Sequence, residues 1–283
     1  MNKKNYLSVY AKSFNWAGFF LPKNIYEDCS SLYNFCRYID NIADDKGDIS
    51  QKIIELDNFY KKFKTKDFND KIVKDVWKLI TKYNIKLIII DDLFSGVRSD
   101  LKKKVKINSN KDLLIYSYKV AGTVGLMMAK ILNVNKKMAL LGAIDLGIAM
   151  QLTNISRDVI EDFNNNREYI NSNFENIKDT LNLADKFYIS SFKSIQEIPL
   201  SLRFSILVAR RVYKKIGSKI LSYKNFENYK DSGKIYVNSF GKVVETLLAL
   251  IDFILLYLVQ NNIKNTEYEH NLISEDINLN ERI

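Results

Sequence analysis

The chain has 283 residues, of which 47% are apolar and 12% aromatic, so it can bury a substantial core and does not have the composition of a disordered protein. Ten glycines and two prolines leave few places where a helix must break, which favours a mostly helical fold. The net charge of +10 comes without a basic stripe interleaved with aromatic residues, and this argues against a nucleic-acid binder.

Apolar residues recur at helical spacing in a series of segments joined by short polar linkers. No change of composition, fixed-period repeat or strand-like alternation is visible, so the segments are predicted to form one helical domain over residues 1–262. The polar segment 263–283 is predicted to be a disordered tail. The predicted helices cover residues 24–44, 50–64, 70–83, 88–101, 111–132, 135–163, 174–194, 199–224 and 239–261.

The two ends of the chain bear on its location. The first residues, "MNKKNYLSVYAKSF", have no apolar stretch of the kind that a signal peptide needs, so we expect a cytoplasmic protein. The last predicted helix contains the longest apolar run, "VVETLLALIDFILLYLVQ". Glu245 and Asp252 interrupt this run, so we expect an amphipathic core helix and not a membrane span.

Cysteine and histidine are too scarce for several kinds of site. Cys29 and Cys36, the only cysteines, lie seven apart in one predicted helix, so a structural disulfide is not expected. His270 is the only histidine and lies in the polar tail, which argues against histidine zinc sites and Ser-His-Asp triads. Any chemistry must therefore use carboxylates, arginines, tyrosines and metal.

The first predicted helix carries a polar stripe in the sequence "CRYIDNIADD". At 3.6 residues per turn, its members fall within about 60° of one another on the helix surface. They are Tyr33, Arg37, Asp40 and Asp44.

A second stripe lies in the helix predicted over 135–163, which is otherwise apolar nearly all round and is therefore expected to be buried. Its members follow the spacing i, i+3, i+7, i+11 and fall within about 80°. They are Gln151, Asn154, Asp158 and Asp162.

Two aspartates one turn apart in a partly buried helix need a compensating charge. Divalent cations that bridge such pairs to a phosphate would supply it, and oxygen-only ligands suit Mg²⁺ or Mn²⁺. For either pair alone, a solvated helix face is the commoner explanation. The second pair lies on a buried helix beside Gln151 and Asn154, so the two stripes together favour a metal site.

Small residues occupy positions where a helix former would be expected. Gly122 and Gly125 lie inside a helical pattern, each costing about 1 kcal/mol relative to alanine. Either another helix packs closely there or the space is kept for a ligand. With Ala143 and Gly147, which continue the second stripe backwards, they could line a narrow apolar tunnel behind the carboxylates. A polar mouth and an apolar tunnel together indicate a polyprenyl diphosphate site.

Four blocks of this sequence resemble, in order and spacing, the squalene and phytoene synthase family of head-to-head prenyl synthases. They are "SFNWAGFFLP", "LYNFCRYIDNIADD", "YSYKVAGTVGLMMA" and "DLGIAMQLTNISRDVIEDFNNNREYI". The resemblance runs from about residue 5 to 260 and is strongest to bacterial phytoene synthases. It implies an all-α, single-domain isoprenoid synthase fold with helices around a central cavity, so that residues 1–262 form the catalytic helical domain.

The resemblance also implies roles for individual residues. The metal-binding aspartates would be Asp40 and Asp44 in a first motif and Asp158 and Asp162 in a second. The resemblance places Arg37 and Arg157 near the diphosphates. It places Tyr116, Gln151, Asn154 and Tyr169 at the cavity mouth, and Phe14 and Tyr33 facing the carbocation. It also includes Tyr213 and Lys234 among the substrate-binding residues. Simpler explanations remain open: Arg37 pairing with its neighbouring aspartates, the aromatics as plain core, and Lys234 as a solvated lysine.

The sequence departs from the family pattern at two places. Asn41 stands where the family usually has a second aspartate, and no proline follows "REYI". Because the outer aspartates of the first motif are retained, activity is expected to survive.

The implied reaction joins two geranylgeranyl diphosphates through a cyclopropyl (prephytoene) diphosphate to give phytoene, with Mg²⁺ or Mn²⁺ and without NADPH. The alternatives are a squalene, dehydrosqualene or hydroxysqualene synthase that uses farnesyl diphosphate, and a non-catalytic assembly factor for respiratory complexes from the same family. Expected partners are prenyl diphosphates and, for release of an insoluble product, the membrane surface; no nucleic acid is expected.

Overall fold

The computed structural model describes residues 12–45, 47–258 and 266–283, and these are mostly helical. Every helix predicted from the sequence is present within those residues. The helices are α1 Lys12–Gly18, α2 Lys23–Asp44, α3 Ile49–Lys64, α4 Lys71–Tyr83, α5 Leu87–Ser99, α6 Asn110–Ser117, α7 Thr123–Ile131, α8 Lys137–Asn164, α9 Phe174–Ser194, α10 Leu200–Leu221, α11 Phe226–Asp231, α12 Ser239–Leu258, α13 Glu267–Ser274 and α14 Leu279–Arg282.

Local side chains define where several helices begin. The carboxylate of Asp48 accepts hydrogen bonds from two backbone N–H groups in the first turn of α3, and Asp70 does the same for α4. Asn173 caps α9 through its side-chain oxygen. Pro22 and Pro199 immediately precede α2 and α10, where the fixed φ of proline suits the start of a helix.

The long helix α8 forms the centre of the fold and packs against α7, α9 and α10. It is long and apolar enough to cross a membrane, but 67% of its most apolar window is buried inside the protein, as expected for a core helix. The all-α fold predicted from the sequence is confirmed. Three short features were not predicted: the helices α1 and α11, and the two-residue strands β1 Val105–Lys106 and β2 Arg167–Glu168, which pair in parallel.

The α7 and α8 backbones pack directly on each other, and glycine makes this possible. A Cβ added to Gly125 would lie 2.2 Å from the Ala143 carbonyl oxygen, and one added to Gly147 would lie 2.3 Å from that of Ala121. Immediately before α7, Tyr118–Gly122 forms one π-helical turn. Close helix packing therefore explains these glycines, and it leaves small side chains along one side of the cavity described below.

The segment 266–283 differs from the disorder predicted for a polar tail. Its helices α13 and α14 bury Ile273 and Leu279 in the core. His270 Nε2 lies 2.5 Å from Oδ1 of Asp145, a carboxylate on α8 that is only 1% exposed, and Thr266 donates to the other oxygen at 3.1 Å. The composition of the segment could not predict these contacts, because the partners lie more than a hundred residues away in the chain.

Candidate active site

The two polar stripes face one cavity of about 390 Å³. From α2 it receives Tyr33, Arg37 and Asp40. From α8 it receives Gln151, Asn154 and Arg157. The remaining three aspartates, Asp44, Asp158 and Asp162, lie further along the same stripes and are not among the lining residues.

Behind these polar groups the cavity is apolar. Its walls come from α7, α8, the end of α9 and α10, and include Val124, Gly125, Met128, Ala143, Leu146, Gly147, Met150, Ile198, Ile206 and Ala209. The predicted arrangement of a polar mouth and an apolar tunnel is therefore present.

Arginines hold the α2 carboxylates. Arg37 Nη1 lies 3.3 Å from Asp40 Oδ2 and 3.7 Å from Asp44 Oδ2. Arg167 Nη1 donates to Asp44 Oδ1 at 2.8 Å. Burial, and next the charge of Asp44, raise the pKa of Asp40 to about 7, while Arg37 opposes the rise. The closeness of the two carboxylates thus leaves Asp40 short of positive charge.

The α8 carboxylates differ from each other in their partners. Arg157 donates to both oxygens of Asp158, through Nε at 2.8 Å and through Nη2. Asp162 has no hydrogen bond or salt bridge among the residues that the structure describes. Burial, and next the charge of Asp158, raise the pKa of Asp162 to about 8, and the more distant Arg167 lowers it. Like Asp40, this carboxyl lacks a full counter-charge.

Two residues that the sequence analysis missed lie between the stripes: Asp100, just after α5, and Arg167, in β2. Asp100 raises the pKa values of both Asp40 and Asp162, and Arg167, which donates to Asp44, lowers both. The same two residues therefore lie within electrostatic range of both carboxylate groups. The short β1–β2 pairing anchors Arg167 in this position. Nothing in local periodicity marks either residue, although Arg167 belongs to the quoted block "NNREYI".

Tyr116 and Tyr169 come together as a pair beside this centre. Their rings stack at 4.7 Å, and their hydroxyls donate to Asp100 at 2.8 and 2.7 Å. Burial raises the pKa of Asp100, and Arg167 and the two hydroxyl donors oppose the rise. Both tyrosines are buried and are not among the cavity-lining residues, so the structure places them behind the mouth, where they orient Asp100.

Three aromatic rings line the cavity next to its polar end. Phe14 lies 6.3 Å from Tyr33 and 5.0 Å from Tyr213, measured between ring centroids. Burial raises the pKa of both tyrosine hydroxyls, which keeps these rings neutral. Such rings can stabilise a cation through their quadrupoles.

Two other positions considered in the sequence analysis, Lys234 and Asn41, do not line the cavity. Lys234 is 61% exposed, donates to Glu161 at 2.9 Å and lies 3.9 Å from Asp158, so it belongs to the outer rim. Asn41 lies on α2 and is half-buried.

The residues present suit a divalent cation shared with a phosphate. No group of three or more His, Cys, Asp or Glu side chains among the described residues is arranged to hold a metal by itself. Mg²⁺ commonly takes only one or two carboxylates and completes its shell with substrate phosphate and water. The under-compensated Asp40 and Asp162 fit this donor set, and Asn154 Oδ1 is buried without a hydrogen-bond partner in the described part of the chain.

Comparison with known proteins agrees with this geometry. The sequence pattern of the squalene/phytoene synthase family matches residues 7–173. The chain is 27% identical over 247 residues to a 15-cis-phytoene synthase of Enterobacter agglomerans, covering 76% of this chain and 83% of that protein. It is 28% identical over 238 residues to a 15-cis-phytoene synthase of a Paracoccus strain, covering 74% and 78%.

Among solved structures, a dehydrosqualene synthase with a bound ligand superimposes with a TM-score of 0.66 at 22% identity, covering 87% of this chain and 93% of that one. A squalene synthase from Alicyclobacillus acidocaldarius gives a TM-score of 0.66 at 16% identity, covering 80% and 92%. At these identities the structural matches establish the fold.

Proposed function

This chain belongs to the squalene/phytoene synthase family, and we propose that within it the protein is a phytoene synthase that condenses two geranylgeranyl diphosphates head to head. The observation that carries the proposal is the pair of converging carboxylate groups at the mouth of an apolar cavity. The first group comprises Asp40 and Asp44, and the second comprises Asp158 and Asp162.

These four aspartates would hold Mg²⁺, which when bound supplies positive charge for the departing diphosphate. Arg37 and Arg157 line the cavity beside them and present guanidinium groups to the diphosphate oxygens. The C2=C3 double bond of the second substrate then attacks the allylic cation, and loss of a proton closes the three-membered ring to give a cyclopropylcarbinyl diphosphate. Phe14, Tyr33 and Tyr213 stabilise the cations with their ring faces.

The apolar walls of the cavity exclude water from the carbocations, since a cation that reacts with water becomes an alcohol. Departure of the second diphosphate ionises the cyclopropylcarbinyl intermediate, the resulting cation rearranges, and loss of a proton from it ends the sequence without NADPH. Small side chains also line the cavity near the start of α8 and the end of α9, at Ala139 and Ser194, and they support the longer C20 substrate. The curated relatives named above are likewise phytoene synthases. A synthase of C15 chains is the alternative, to be decided by product analysis.

The test is incubation of purified protein with geranylgeranyl or farnesyl diphosphate, with and without Mg²⁺ and NADPH, followed by identification of the hydrocarbon. We expect phytoene from the C20 substrate, a requirement for Mg²⁺ and no effect of NADPH. Asp44→Ala and Asp158→Ala should lower turnover by at least about 100-fold, because each removes charge that balances the metal. Asp75→Ala, which removes an aspartate paired with Lys71 on α4, is the matched control.

The outcomes separate the possibilities. A product made only from farnesyl diphosphate would refute the C20 assignment but not the family chemistry. Full turnover in Asp158→Ala would refute the metal assignment. No product from either substrate would favour a non-catalytic assembly role, against which the retention of all four aspartates speaks. We further propose a cytoplasmic protein that meets the membrane peripherally, where its substrates and product dissolve.

A further inference from the structure

The helix α12 has the opposite orientation to an ordinary amphipathic helix: its acidic side faces the protein and its aliphatic side faces outward. Its acidic residues Glu245 and Asp252 are 6% exposed each, and Arg211 on α10 binds both, through Nη1 at 3.1 Å and Nε at 2.8 Å. Its aliphatic residues point the other way: Leu247 is 60% exposed and Ile254 62%. The sequence analysis predicted a core helix, and the structure corrects this, because the charged side of α12 faces the core.

The exposed side of α12 carries no charge. From 243 to 258, every exposed residue of this helix is apolar. Central positions are Val243, Leu247, Leu250, Ile251, Ile254 and Leu258. Within residues 12–45, 47–258 and 266–283, no element covers this surface. A contiguous apolar surface of this length marks a contact site, since soluble proteins seldom leave such patches open.

The composition of the surface favours lipid as its occupant. Aromatic residues lie at its two ends, Tyr236 and Phe240 before the aliphatic stretch and Tyr257 at the end of it. Aromatic rings flanking an aliphatic centre are typical of segments that lie at a membrane interface. A lysine adjoins the first end: Lys219 donates to the Tyr236 carbonyl at 2.8 Å. Together with the net charge of +10, this lysine suits anionic headgroups.

The same surface adjoins the apolar part of the cavity. Trp16 donates to Thr246 at 3.0 Å and so holds α1 against α12. Gly18, at the end of α1, lines the cavity, and the next residue, Phe19, is 84% exposed. Likewise Ile198 lines the cavity while Leu200, two residues later, is 58% exposed. At two places, exposed apolar residues therefore follow cavity-lining residues within one or two positions of the chain.

We propose that the outer face of α12, extended by Phe19, docks the protein on an anionic lipid bilayer. The helix lies in the plane of the interface with its aliphatic centre among the acyl chains and its buried acids still paired with Arg211. Docking itself is independent of turnover; that it serves exchange of prenyl chains with the bilayer rests on the proposed function.

Vesicle flotation tests the proposal with full-length protein and two lipid mixtures, pure phosphatidylcholine and phosphatidylcholine with phosphatidylglycerol. We expect the protein to float with the anionic vesicles. Leu247→Gln/Ile254→Gln should lower the vesicle-bound fraction about tenfold or more. The control Ile54→Gln/Ile189→Gln changes two equally apolar residues, 59% and 48% exposed on α3 and α9, and should float like the unaltered protein.

A second measurement reports the docked face directly. An environment-sensitive dye on Leu250→Cys should shift to the blue with anionic vesicles, and the same dye on Ile54→Cys should not. The proposal is overturned if the unaltered protein stays with the unbound fraction, if the α12 variant floats equally well, or if the protein is a dimer that the α12 variant converts to a monomer. Hydrocarbon formation in vesicle-free detergent is measured separately, so that loss of docking and loss of the proposed activity are distinguished.

Discussion

Replacing Asp162 by asparagine should stabilise the metal-free protein at about pH 8, although it removes a proposed metal ligand. In the folded protein, burial and the neighbouring Asp158 raise the pKa of this carboxyl from 3.8 to about 8. At intermediate pH the folded protein therefore keeps a proton that the unfolded chain has released. The contribution of this group to stability is complete below pH 3.8 and is lost as the pH rises to about 8. Asparagine does not ionise and avoids the loss.

The size of the gain follows from the same shift. About four pKa units would correspond to roughly 6 kcal/mol if nothing relaxed. Asp162 is only half-buried, so water and side-chain movement reduce the effect, and we expect the variant to gain about 1–2 kcal/mol. For a chain of this length the melting temperature should rise by about 2–8 °C.

Thermal unfolding followed by circular dichroism, with EDTA, at about pH 5 and pH 8 measures the effect. The gain should appear at the higher pH and shrink at the lower one, where the native carboxyl is already protonated. Asp158→Asn is the matched control: it removes the partner of Arg157 and should not stabilise the protein. An Asp162→Asn protein that melts no higher at pH 8, or gains equally at both pH values, would refute the reasoning.

Three further results are expected. Gly125→Ala should cost about 1–3 kcal/mol in denaturant unfolding, because its methyl group would meet the Ala143 carbonyl; an unchanged midpoint would contradict the close packing. Since Asp40 must lose its proton to bind metal and its pKa is about 7, Mn²⁺ affinity measured by calorimetry should rise between about pH 6 and 8, and a flat profile would count against this ligand. His270→Ala should cost about 1–3 kcal/mol and expose the segment 266–283 to proteases, because the buried Asp145 loses a partner; equal protease resistance would show that the contact is dispensable.

Much of this site could be predicted because its main residues are spaced one or two turns apart on single helices. The spacing of Asp40 and Asp44, and of Asp158 and Asp162, places each pair on one side of its own helix wherever that helix packs. An apolar helix that carries such a pair must also bury it near a compensating charge. Helix periodicity therefore predicts the two carboxylate stripes, and the small residues at 122, 125, 143 and 147 predict the apolar tunnel behind them.

Asp100 and Arg167 escaped the sequence analysis for the opposite reason. They meet the aspartates from short segments, and only the packing of α5 and the β1–β2 contact brings them there. The segment 266–283 is similar: its polar composition suggested disorder, whereas the contact of His270 with Asp145 and the burial of Ile273 hold it on the body of the protein.

The helix α12 shows the same division within one element. Its sequence determined that a helix forms and that acidic and aliphatic residues lie on opposite sides of it, because both follow from the order of residues along the chain. Which side faces inward was decided by Arg211 on α10, whose guanidinium binds Glu245 and Asp252 in the interior. Periodicity describes a helix relative to its own axis, and only the neighbouring helices supply the charges that decide how it is turned.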